Sequence, residues 1–75
     1  MPRVAEFAGI VISIYAADHN PPHVHVYYAE FESLVVISTG IVLVGNVPAK
    51  QLRAAQEWIA ANGASLTEKW GILNP

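Results

Sequence analysis

Two runs of β-branched and aromatic residues, 10–15 (IVISIY) and 23–29 (HVHVYYA), are held apart by a segment that ends in consecutive prolines, Pro21 and Pro22. Such side chains crowd a helix and suit a pleated strand. Neither proline can donate a ladder hydrogen bond, and each pushes the residue before it towards extended geometry. The chain is therefore constrained to strand, stiff loop, strand. A period of two places His23, His25 and Tyr27 on one face of the second strand, and Val24, Val26 and Tyr28 on the other. On the first, Val11, Ser13 and Tyr15 oppose Ile10, Ile12 and Ile14.

Residues 30–33 (EFES) read as a connection to a third strand at 34–38 (LVVIS). Thr39–Gly40 then reads as a two-residue hairpin loop into a fourth strand, 41–45 (IVLVG). That register pairs Ser38 with Ile41, Ile37 with Val42 and Val35 with Val44. One face of the hairpin carries Val35, Ile37, Val42 and Val44, the other Leu34, Val36, Ile41 and Leu43, so each needs a cover. Pro48 in a first turn and Asn62–Gly63 as a stop bound a helix whose apolar stripe is Leu52, Ala55 and Ile59, with Trp58 beside it. A second, short helix follows, with Ser65 and Glu68 as a capping box and Leu66 and Trp70 directed to the core. The order β-β-β-β-α-α predicts one α+β domain over residues 1–75. Its antiparallel sheet has three to four strands, and the two C-terminal helices pack on one face.

Composition bears on how such a chain is supported. At 75 residues it buries little surface, and with no cysteine it has neither a disulfide nor a thiolate metal site. It is 53% hydrophobic and 13% charged, against about 45–50% and about 25% for an average soluble domain. Together with the two-sided hairpin, this excess points to a protein partner or a homo-oligomer. The four cations, Arg3, Lys50, Arg53 and Lys69, are scattered over a chain of net charge −2, which argues against autonomous DNA binding. No secretory leader pattern and no run of membrane-spanning length is present, so a cytoplasmic protein without membrane contact is expected.

All three histidines lie in DHNPPHVHVYY, and three readings of the cluster stand side by side. In the first, His19, His23 and His25, with Asp18 or Glu30, hold a divalent metal such as zinc; a proline-stiffened loop pre-organises that site. In the second, His23 and His25 are the acid–base pair of a ribonuclease or phosphodiesterase, with Asp18 orienting a ring and Tyr27 assisting. That chemistry lacks the cluster of arginine or lysine that stabilises a phosphorane. In the third, the cluster is structural: Asp18 and Asn20 cap the turn and the imidazoles bond to carbonyls or a partner. Tyr15, His19, Asn20, Pro21 and Pro22 then form an exposed, rigid recognition surface, with no cofactor.

The opening MPRVAEFAGIVISIY, the string Tyr15, Asp18, His19, Pro21, Pro22, His23, His25, the later Gly45 and Pro48, and Trp58 together resemble a small prokaryotic family, domain of unknown function 4160. The likeness covers nearly the whole chain. Relatives usually carry more charge along the helix, and the leaner helix here weakens any nucleic-acid role. No activity is implied by the family's name. Genes of this type often sit beside a second small gene in the manner of toxin–antitoxin modules. The resemblance therefore implies a partner-dependent interaction protein of such a module, the toxin being one of its roles.

Overall fold

The structure, a computed structural model, describes residues 3–75; Met1 and Pro2, which open the family-like pattern, lie outside the described residues. β1 (Arg3–Phe7), β2 (Ile10–Ser13), β3 (His23–Tyr28), β4 (Phe31–Val36) and β5 (Val42–Gly45) form one antiparallel sheet in the order β1-β2-β3-β4-β5. Helices α1 (Ala49–Ala61) and α2 (Gly63–Leu73) follow. The α+β class, the antiparallel sheet and the two C-terminal helices are as the sequence predicts.

The core lies on the sheet face that carries Ile10, Ile12, Val24, Val26 and Val35, packed against Ala55 and Ile59 of α1 and Leu66 and Trp70 of α2. These are the positions that the strand and helix periods place inwards. Burying a valine, leucine or isoleucine stabilises the fold by roughly 1.5–3 kcal/mol, so this face decides the register of β2 and β3.

Four local expectations are corrected. Residues 3–7, to which the sequence reading gives no element, form a further strand: Ala8 and Gly9 both take positive φ, 52° and 77°, and fold β1 back onto β2. Positive φ at both central residues is the pattern of a type I′ hairpin turn, here without the asparagine that usually announces it. Phe7 then packs on Trp58 with ring centroids 6.2 Å apart.

Phe31, Glu32 and Ser33 belong to β4 rather than to a connection, because Ala29 (φ 51°) and Glu30 suffice to turn the chain. The Thr39–Gly40 hairpin is looser than expected, and Val35 pairs with Val42 and Leu34 with Val44, across a bulge. Ile37 is drawn away from β5: its N–H donates to the Pro22 carbonyl at 3.1 Å, and its side chain enters the core. The turn closes instead through the Val36 N–H to Ile41 O and the Gly40 N–H to Val36 O, both 2.9 Å.

The Ser65–Glu68 capping box does not form. Asn62 ends α1, its side-chain Nδ2 donating to Trp58 O at 2.8 Å, and α2 starts directly at Gly63, leaving Ser65 inside the helix. No helix among the described residues is long and apolar enough to cross a membrane.

Candidate functional site

β3 fixes two imidazoles through its ladders with β2 and β4. His25 sits opposite Ser13 and Leu34, His23 opposite Val36, so both alternate along β3 with the core residues Val24 and Val26, and His23 is itself buried. The segment between β2 and β3 delivers Asp18 to both. Its Oδ2 lies 3.1 Å from His23 Nε2 and 3.1 Å from His25 Nε2. Among the described residues these three side chains form one group whose candidate ligand atoms all lie within 4.8 Å of one another.

Each ring is held from behind. His23 Nδ1–H donates to the Pro21 carbonyl at 2.8 Å. A carbonyl can only accept, so Nδ1 carries the hydrogen and Nε2 of the neutral ring is a bare lone pair. That Nε2 is buried without a hydrogen-bond partner, in a side chain only 3% exposed. It nevertheless stands 3.1 Å from a carboxylate oxygen, with geometry that does not make a hydrogen bond. With the ring neutral, two acceptors face each other in a low-dielectric site and repel unless a proton on Nε2 or a metal cation lies between them; with the proton the two form a buried ion pair.

His25 shows the same logic from a different side. Its Nδ1 is 3.0 Å from Glu32 Oε2 and its Nε2 3.1 Å from Asp18 Oδ2. Both carboxylates are acceptors, so the ring either carries two hydrogens or presents one lone pair to a cation. A histidine whose far nitrogen donates to a carboxylate is the usual support of a metal ligand.

Burial alone would raise the Asp18 pKa. The hydrogen bond with His25, the His19 N–H and the charges of His23 and His25 outweigh it and leave the carboxyl below its ordinary value. Aromatic rings complete the surroundings. Tyr15 meets His25 edge-on at 4.6 Å, Trp70 lies 5.1 Å from His23, and the Tyr15 and Tyr27 hydroxyls bond at 2.7 Å. Burial, that bond and the negative Glu32 push the Tyr27 hydroxyl well above its ordinary pKa.

Asp18, His23 and His25 are thus brought together, with Tyr15 and Tyr27 adjoining. His19 is exposed and contributes its backbone N–H, which donates to Asp18 Oδ1 at 2.8 Å. Glu30 is exposed in the β3–β4 turn and lies outside the ligand group. Asn20 and Pro21 are exposed, Pro21 serving through its carbonyl, and the Asn20–Pro21 peptide is cis.

Sequence reasoning missed Glu32, Ser13 and Asn74. Glu32 would have followed from a two-residue turn at 29–30, which the residues there do not advertise. Ser13, opposite His25, is fully buried with its hydroxyl unpartnered. Asn74, far along the chain, accepts from the Asp18 N–H at 2.7 Å, and no local signal points to it.

A family model described as domain of unknown function (DUF4160) matches residues 9–71. No curated protein and no solved structure matches significantly.

Proposed function

We propose that this chain, which belongs to the DUF4160 family, is a divalent-metal protein whose ligands are Asp18 Oδ2, His23 Nε2 and His25 Nε2. The observation that carries this reading is the orphaned, buried Nε2 of His23 facing the Asp18 carboxylate. Ligands about 2.1 Å from one ion in tetrahedral or octahedral array stand roughly 3.0–3.4 Å apart; two separations here are 3.1 Å, and all three ligand atoms lie within 4.8 Å of one another. The set is two imidazoles and one carboxylate, suited to zinc, iron(II), manganese or cobalt. Pro21 O and Glu32 orient the rings.

Three protein ligands leave coordination positions open, the arrangement of catalytic rather than structural sites. A bound ion would supply Lewis acidity to a water or substrate there. Tyr15 and Tyr27 offer hydroxyls beside it. The metal-free acid–base alternative finds less support. Both nitrogens of His25 are occupied by carboxylates, one nitrogen of His23 is committed to a carbonyl, and no lysine or arginine pairs with the cluster among the described residues.

Metal analysis of protein purified without a histidine tag tests the reading. Stoichiometric zinc, iron, manganese or cobalt is expected. Zinc at 100 times its Kd should stabilise the fold by about 2.7 kcal/mol, a rise in Tm of roughly 10–20 °C for a domain of this size. His25→Ala should abolish both signals. No bound metal and an unmoved Tm in zinc would overturn the proposal.

A second reading rests on a separate surface. Leu43 and Val44 of β5, and Ile41 just before it, are 48%, 61% and 60% exposed, and β5 is an edge strand of the sheet. An apolar strip beside unpaired backbone groups suits an extended segment of a partner protein added as a sixth strand. Such a partner fits a cytoplasmic, prokaryotic, two-gene toxin–antitoxin-like module of the kind that the family resemblance implies. Co-expressed with the product of its neighbouring gene, the protein should co-purify and sediment as a complex. Leu43→Lys should release the partner without lowering Tm. A monomer at micromolar concentration that retains nothing would remove this reading.

A further inference from the structure

Of the three ligands, Asp18 is the one that no strand holds. His23 and His25 are fixed by the ladders of β3. Asp18 instead follows Ala17, which sits at φ 56°, a left-handed conformation that residues other than glycine, asparagine and aspartate seldom adopt. Something outside the loop must keep that turn in shape.

The Asn74 side chain does so. Its Oδ1 accepts from the Asp18 N–H at 2.7 Å and its Nδ2 donates to the Tyr15 carbonyl at 3.1 Å. One amide thus bridges the two ends of the turn, as a paired strand would. A longer bond from Nδ2 to Trp70 O, at 3.3 Å, ties it to the last turn of α2. Trp70, four residues earlier, packs its ring 5.1 Å from His23. The end of α2 therefore meets two ligands at once, one through a tilted aromatic ring and one through an amide.

We propose that Asn74 is the positioning residue of the metal centre, setting the place of Asp18 and through it the affinity for the ion. The proposal rests on the metal reading above. Its wall position supports it: Asn74 and Asp18 both line a cleft of about 420 Å³ that also involves Ala16, Ala17 and Asn20. Any slackening of the amide bridge lets this side open and carries Asp18 away from the imidazoles.

The test uses the whole chain, zinc titrated in competition with a chromophoric chelator, and the visible absorption of the cobalt(II) form. Asn74→Ala is expected to bind zinc 10–100-fold more weakly, the usual effect of removing an outer support, and to shift the cobalt bands as the carboxylate ligand is displaced. Asn62→Ala is the control. It removes another helix-end asparagine whose Nδ2 bonds a carbonyl, that of Trp58, without any contact to the ligands, so it should lower Tm while leaving zinc affinity and the cobalt spectrum unchanged. Asn74→Ala binding zinc like the unaltered protein, or Asn62→Ala losing as much affinity, would overturn the proposal. Failure of the metal reading itself would be seen on the unaltered protein, which would then bind no zinc at all.

Discussion

Replacing His23 with leucine is expected to weaken zinc binding several-hundredfold while leaving the metal-free protein folded and no less stable. Structural zinc sites gain about 10–16 kcal/mol from four ligands, so one ligand is worth roughly 3–4 kcal/mol, or a factor of hundreds. Stability of the metal-free form should move far less, because two effects oppose each other. Leucine removes the Nδ1–Pro21 bond, worth about 1 kcal/mol, but also the unpartnered buried Nε2, which costs about 1–3 kcal/mol. The net change should run from nothing to a gain of about 2 kcal/mol, so that Tm stays level or rises. Zinc titration and paired melts with and without chelator separate the two quantities. A large fall in Tm with unchanged zinc affinity would make His23 a structural residue.

That expectation bears on why a short chain tolerates a buried imidazole that satisfies only half its bonding capacity. A protein of this size has little stability to spare, and polar groups left unpaired in its interior are normally eliminated. A site that violates local bonding rules without evident structural gain is where function is expected to reside. The His23–Asp18 approach is such a violation when the ring is neutral, and beside it His25 lies between the carboxylates of Asp18 and Glu32.

How much of this was legible beforehand follows from the range of each interaction along the chain. The shared face of His23, His25 and Tyr27 needs only a period of two and a proline pair to start the strand, and both are local. Leu66 and Trp70 as core residues need only helical spacing. Asp18 could be suspected as a neighbour of the cluster, but its approach to the rings depends on a left-handed Ala17 that no residue type announces. Glu32 depends on the turn at 29–30, where alanine and glutamate stand in for the glycine or asparagine usually found. The β4–β5 register fails for a different reason. Thr39–Gly40 resembles a tight loop, yet the core claims Ile37 and lengthens the turn. Tertiary burial outweighs turn propensity there, because a fully buried isoleucine is worth more than a favourable loop.

Gly45→Ala is expected to be the most damaging small substitution, and it links the fold to the site. Gly45 has φ 130°, and a Cβ built there would overlap the Glu32 carbonyl oxygen and Ser33 Cα of the neighbouring strand. Both are backbone, so no rotamer change relieves the clash. The backbone conformation costs about 1–3 kcal/mol for an L side chain, and forced overpacking about 1–3 kcal/mol more. Against the 5–15 kcal/mol or so that hold a typical domain together, a loss of roughly 3–5 kcal/mol should lower Tm by more than about 15 °C. Where the variant still folds, β5 must move off β4 near Glu32, whose carbonyl accepts from the Asn46 N–H at 3.0 Å and whose carboxylate supports His25. Zinc affinity should then fall about tenfold as well. Gly40→Ala is the comparison: φ is 76° but nothing lies within 4 Å of the added carbon, so only the backbone term of about 1–2 kcal/mol should appear, with zinc binding unchanged. Equal losses of stability at the two positions would mean that the close approach of β5 to β4 contributes nothing, and that Glu32 owes its place to some other contact.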